Sequence, residues 1–227
     1  MWYVPAMAKP RILFVTPPLT QLNTPYPATA YLKGFLNTKN ISSYQIDLGI
    51  EVILEIFSKK GVTQIFNVKP ENLSENAQRI FALREEYIKT IDEVIAFLQN
   101  KKPTLARQIC SMNFLPEASR FNQLDDMEYA FGNMGLQDKA KHLATLYLED
   151  LSDYIIENID ENFGFSRYAE RLGRSANSFD ELYTCLQKEY TFFDELLIEI
   201  LEKKINLVQP KIVAISIPFP GNLYSAF

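Results

Sequence analysis

The residues best suited by type to hold a ligand stand in two proline-rich stretches. One runs from Thr16 to Pro27 and the other is Ser216-Ile-Pro-Phe-Pro-Gly-Asn222. In the first, Thr16, Thr20, Gln21, Asn23, Thr24 and Tyr26 offer hydroxyl and amide groups on a backbone stiffened by Pro17, Pro18, Pro25 and Pro27. A proline has no N–H to present to a phosphate, and neither GxGxxG nor GxxxxGKS/T occurs in the chain. That argues against a nicotinamide dehydrogenase or a P-loop nucleotidase. It suits a large amphiphilic ligand with many amide arms. The same prolines also serve to stop strands, and topology alone leaves the two readings level. Asp47 stands where an acidic residue can hold a ribose, but without the glycine fingerprint a helix cap is the better account.

Elsewhere the chemistry is thinner. His142 is the single histidine, and Lys139 occupies the place where a Glu-x-x-His motif needs its glutamate, so a carboxylate-bridged metal pair fails. One histidine and no Gly-x-Ser-x-Gly elbow leave no credible Ser-His-Asp or Cys-His arrangement. Glu149, Asp153 and Glu157 recur along one helix face while Leu143, Tyr147, Leu151, Tyr154 and Ile155 mark another. A solvated acidic face is preferred there over a metal or cationic-partner site. Phe163 to Gly173 carries Arg167, Tyr168, Glu170 and Arg171, which suit either an anion at a helix start or, preferably, an interhelical turn. Cys110 and Cys185 are expected as buried thiols rather than a disulfide.

The elements that must position the two loops follow from hydrophobic pattern. Arg11–Val15 is a compact β-rich run ended by Pro17-Pro18, and Ala28, Leu32, Phe35 and Leu36 then share one helical face. Tyr44–Leu48 reads as a second strand, followed by a helix over Ile50–Phe57, so the first two strands are expected to be parallel. From about Glu71 to Gln209 the pattern is almost wholly helical, with capping-box spacing at Asn72/Glu75 and Ser178/Glu181. Lys211–Ile217 is the third strand, and Leu223–Phe227 looks like the first turn of a helix. The expected fold is α/β: a partial Rossmann-like parallel sheet of order 2-1-3, buried on both faces, with a large all-α insertion. Residues 1–70 supply its first two strands and helices, 71–209 the insertion, and 210–227 the third strand. A sheet with this little after its third strand is expected to be a truncated domain. Ligands in such sheets sit beyond the carboxyl ends of the strands where the winding reverses, here between the loops after the first and third strands.

With 227 residues, 47% of them hydrophobic, the chain can bury a core, and a net charge of -5 gives no footprint for nucleic acid. The longest apolar runs fall short of a membrane span and the N-terminus has no signal pattern, so a cytoplasmic protein with neither a membrane nor a nucleic-acid partner is expected.

The stretch Thr16–Leu36, with Ile46-Asp-Leu-Gly-Ile50 and Ser216–Tyr224, resembles the N-terminal region of radical S-adenosylmethionine proteins with a cobalamin-binding domain. The helical segment Asp138–Gly173 is similar to the matching part of a subgroup of them. The resemblance implies a corrinoid over the carboxyl edge of the sheet. Its cofactor-binding residues would be Thr16, Pro17, Pro18, Thr20, Asn23, Tyr26, Ser216, Pro218, Gly221 and Asn222. No Asp-x-His-x-x-Gly motif supplies a cobalt ligand, and no Cys-x-x-x-Cys-x-x-Cys triplet supplies a 4Fe-4S cluster. The cluster and S-adenosylmethionine would therefore belong to a longer parent protein, the rest of which is the expected partner, and the chain alone is not expected to catalyse. The rival expectation is a non-catalytic helical interaction module on a Rossmann-like stub.

Overall fold

The computed structural model describes residues 11–18, 26–69, 73–111, 114–123, 135–161, 163–165 and 179–227. They form two compact units, one made of residues 1–53 with 164–227 and the other of 54–163.

The first unit is built on a three-stranded parallel sheet in the order β2-β1-β3, with β1 at Ile12–Thr16, β2 at Ser43–Asp47 and β3 at Ile212–Ile215. This is the expected α/β arrangement. Both pairings run in register from the start of β1, with Ile12 opposite Ser43 on one side and Ile212 on the other. The central strand has the buried, β-rich character that its sequence dictates, Leu13, Phe14, Val15 and Thr16 all lying in the core. Helix α1, Ala28–Thr38, follows β1 and packs on β1 and β2, and Lys33 Nζ donates to the Ser43 carbonyl at 2.7 Å.

At the end of β2, Asp47 Oδ1 accepts the Ile50 N–H at 3.2 Å. The side chain thus caps helix α2, Leu48–Ile56, as the missing glycine fingerprint suggests.

Two surfaces of this unit depart from expectation. The strands were read as buried on both faces, yet Ile212, Val213 and Ile215 of β3 are 56%, 40% and 47% exposed. Helix α1 buries Thr29, while Tyr31, Leu32 and Phe35 stand in solvent. The apolar pattern is correct for a doubly covered sheet, but β3 is an edge strand.

The second unit is helical: α3 Lys59–Asn67, α4 Glu75–Ala82, α5 Arg84–Leu98, the short α6 Ala106–Ile109, and α7 Leu136–Asn158, which packs on α4, α5 and α6. The expected apolar stripe of α7 is buried at Leu143, Tyr147, Leu151, Tyr154 and Ile155. Ser74 caps α4 by accepting the Ala77 N–H, two residues later than the Asn72 signal, and Asn72 lies outside the described residues. Ser178 likewise lies outside them. Gly61 lies where α3 turns back onto the end of α2, and a Cβ there would meet the Glu55 and Ile56 carbonyl oxygens at 2.1 and 2.4 Å. Only glycine permits that approach.

Within this core Asp150 is wholly buried. Its carboxylate accepts the Ala118 and Arg120 backbone N–H groups at 3.0 and 3.1 Å and the Tyr87 hydroxyl at 3.4 Å. It thereby anchors the 3-10 turn Ser119–Gln123 to α7. Tyr147 donates to the Tyr87 carbonyl and meets the Thr90 hydroxyl, both at 3.0 Å. Burial raises the Asp150 pKa above the ordinary carboxylate value, against the opposing pull of the Arg120 and Ala118 N–H groups and the Tyr87 hydroxyl.

Gly61→Ala should destabilise the protein by about 1–3 kcal/mol in chemical denaturation, because backbone carbonyls cannot yield as side chains do. Gly34→Ala, in the middle of α1 with nothing within 4 Å of the new methyl group, should stabilise it by about 0.5–1 kcal/mol.

Asp150→Ala should cost about 2–4 kcal/mol, since it leaves buried donors without an acceptor. A carboxyl whose folded pKa is raised binds its proton more tightly when folded. Its contribution to stability is therefore complete below the unfolded pKa and is lost as pH rises through the folded one. Denaturation across the acid range should show that loss in the wild type and not in Asp150→Asn.

Candidate functional site

The carboxyl ends of all three strands lie together, because Thr16 pairs with Asp47 and Val15 with Ile215. Beyond β3 the ladder continues for one more bond, Ser216 N–H to the Val15 carbonyl at 2.8 Å. The chain then bends at Phe219 into the 3-10 turn Pro220–Asn222 and the short helix α10, Leu223–Ala226. Asn222 is completely buried and its Nδ2 donates to the Pro17 carbonyl at 3.0 Å. Pro17 can only accept, so a side-chain amide from the opposite loop is a chemically apt partner. The rings of Tyr26 and Phe219 approach at 6.1 Å between centroids. The loops after β1 and β3 therefore face each other, as the strand order requires.

At Pro17 and Asn222 the described parts of the two loops are in direct contact, not separated by an open crevice. Thr16, Pro17, Pro18, Gly221 and Asn222 are buried, Tyr26, Ser216 and Pro218 are half-buried, and Thr20 and Asn23 lie outside the described residues. Among the described residues of this edge, the side chains of Ile217 and Phe219 are exposed, and Tyr26 and Ser216 are partly so. Asn222 Oδ1 is buried without a hydrogen-bond partner among the described residues.

A cavity of about 670 Å³ lies against the same end of the sheet. It is walled by Leu48, by Tyr183 of helix α8 (Asp180–Leu186), by Leu197 and Ile198 of helix α9 (Phe192–Val208), and by Tyr224 and Phe227. Of the described residues expected to contact a cofactor, Pro17 lines it. One polar residue of its wall, Asp194, belongs to a feature that the sequence reading missed, the capping box of α9. There the Thr191 hydroxyl accepts the Asp194 N–H at 3.2 Å, and Asp194 Oδ2 accepts the Thr191 N–H at 2.8 Å and the Tyr224 hydroxyl at 3.0 Å. The Thr-x-x-Asp spacing was the available signal.

The acidic face of α7, in the second unit, is answered internally. Arg120 forms a two-bond pair with Asp153 at 2.7 Å and approaches Glu149 at 3.8 Å, while Ser74 donates to Glu157 through both its N–H and its hydroxyl. The bidentate hydrogen bond to Asp153 is the largest cause of the raised Arg120 pKa. This face is therefore partly exposed and paired rather than free in solvent. Among the described residues no group of His, Cys, Asp and Glu could hold a metal ion. Cys110 and Cys185 are free thiols, half-exposed rather than buried, and burial still raises the Cys110 pKa. Arg167, Tyr168, Glu170 and Arg171 lie outside the described residues. None of the described helices is long and apolar enough to cross a membrane. No protein-family model, curated protein or solved structure matches the chain.

Proposed function

We propose that the chain is the cofactor-binding portion of a radical S-adenosylmethionine enzyme, with cobalamin over the carboxyl edge of the sheet. The observation that carries this reading is the convergence of the β1 and β3 loops at the point where the winding reverses, held by the Asn222–Pro17 hydrogen bond. The residues at that edge fit a corrinoid in kind. Phe219, Ile217 and Tyr26 offer apolar surface to a flat macrocycle, and Ser216 offers a hydroxyl.

The single histidine, His142, belongs to the second unit, so the first unit offers cobalt no imidazole. Cobalamin, when bound, would supply the cobalt-centred chemistry, and the residues of this chain would hold it. Two cysteines are too few for the three-thiolate cluster site, so the cluster and S-adenosylmethionine would be held by the remainder of the enzyme. The exposed apolar faces of β3 and of α1 suit burial by such a remainder. The second reading, a non-catalytic interaction module, is favoured by the separate packed core of residues 54–163.

The DNA beyond the Phe227 codon tests the first reading. An open frame encoding a glycine-rich strand and a Cys-x-x-x-Cys-x-x-Cys motif is expected, and an immediate stop codon would favour the second. Hydroxocobalamin titrated into that longer protein should change its visible absorption. Ser216→Trp or Phe219→Asp should weaken binding at least about tenfold with far-ultraviolet circular dichroism unchanged. Binding insensitive to both variants would remove this edge as the site.

A further inference from the structure

The outer edge of β3 pairs with no described strand, and the direction of its hydrogen-bonding groups narrows what would fit it. Ile212 N–H donates to the Arg11 carbonyl at 3.0 Å and Ser216 N–H to the Val15 carbonyl at 2.8 Å. Residues alternate along a parallel ladder, so Ile212, Ala214 and Ser216 bond toward β1. The N–H and C=O groups of Val213 and Ile215 then point away from the sheet. In the order β2-β1-β3 no strand among the described residues meets them.

Natural edge strands are commonly blunted by lysine, proline, a bulge or a covering helix. From Ile212 to Ile217 the sequence has neither a charge nor a proline. Ile212, Val213, Ile215 and Ile217 are all exposed. A strand that is unpaired along its backbone and apolar on both faces is a template for another strand.

We infer that in the chain by itself this occupant is β3 of a second copy, paired antiparallel about a two-fold axis at Ala214. The outward groups are complementary to themselves in that register. Val213 of each copy lies opposite Ile215 of the other, and each such pair exchanges two N–H···O=C bonds, four across the axis in all. Ala214 faces its own counterpart at the close, non-bonded position, where a methyl group is easily accommodated. Val213 and Ile215 stack across the junction on the same face, an apolar β-branched pairing that stabilises sheets. Lys211 lies opposite Ile217 of the other copy, so like charges do not meet. The product is one continuous six-stranded sheet, antiparallel only at its centre, with an isologous interface. This inference does not depend on the cofactor reading, and a fourth strand supplied by a longer protein would compete for the same edge.

Size-exclusion chromatography with light scattering, run without corrinoid over a dilution series, tests the pairing. The wild type should approach twice the monomer mass at high concentration and dissociate on dilution. Val213→Pro removes an outward N–H and none of the bonds to β1, so it should be monomeric throughout. Ile215→Lys places a charge beside the axis and should do the same, and it serves as the second variant if the proline disturbs folding. Both are checked for unchanged far-ultraviolet circular dichroism. A wild type that is monomeric at every concentration, or folded variants that dimerise as the wild type does, would overturn the inference.

Discussion

The first unit depends on the hydrogen bonding of β1 along both its edges. Five residues of one strand hold Ser43–Asp47 on one side and Ile212–Ile215 on the other, joining parts of the chain that are distant in sequence. Because both pairings begin at Ile12, the three strands finish together, and the loops after β1 and β3 must leave from the same edge. A shift of one residue in either pairing would turn Leu13 and Val15 against the wrong neighbours, and a shift of β3 would carry Asn222 away from Pro17. The buried side chains of β1 oppose such a slip, so core packing and the placement of the carboxyl edge are one constraint.

The helical unit achieves its specificity differently. An apolar stripe along α7 would tolerate several rotations of its neighbours, since burial is not directional. Asp150 removes that freedom. Its two oxygens accept the N–H groups of Ala118 and Arg120, at the start of the Ser119–Gln123 turn, and the same arginine then reaches out to Asp153 one turn along the helix. The buried carboxylate fixes the backbone of the turn, and the turn aims the guanidinium at the carboxylate on the surface. Each contact makes the other geometrically possible, which is how a satisfied polar network selects one packing among apolar alternatives.

What could be read from sequence was set by local periodicity. The three strands, their order, the apolar stripe of α7 and the Asp47 cap all follow from patterns only a few residues long. Asp150 is missed because spacing groups Glu149, Asp153 and Glu157 by helix turn, whereas its burial depends on donors about thirty residues earlier. Arg120 escaped for the same reason, since nothing near Ser119–Gln123 announces the acids that it pairs with. At the candidate site the positions of the two loops were legible and their closeness was not. Proline content shows where strands stop, but only the fold shows that the Asn222 amide reaches the Pro17 carbonyl.

The exposure of β3 shows a limit of pattern reading, and it also links the two proposed surfaces. An apolar run such as Ile-Val-Ala-Ile specifies a strand that is favourable when covered on both faces, but the run carries no information about which element does the covering. Here β1 pairs with one edge, and no strand among the described residues pairs with the other. The same four residues lead directly into Ser216 and the turn that brings Asn222 to Pro17. A strand added at Val213 and Ile215 would restrain β3 from outside, while the bonds to Arg11 and Val15 restrain it from inside. The conformational freedom left to residues 216–222 would fall, because their starting point would be held on both sides. The edge that accepts another strand and the edge proposed for the cofactor are thus successive parts of one segment, and pairing at the first pre-orders the second.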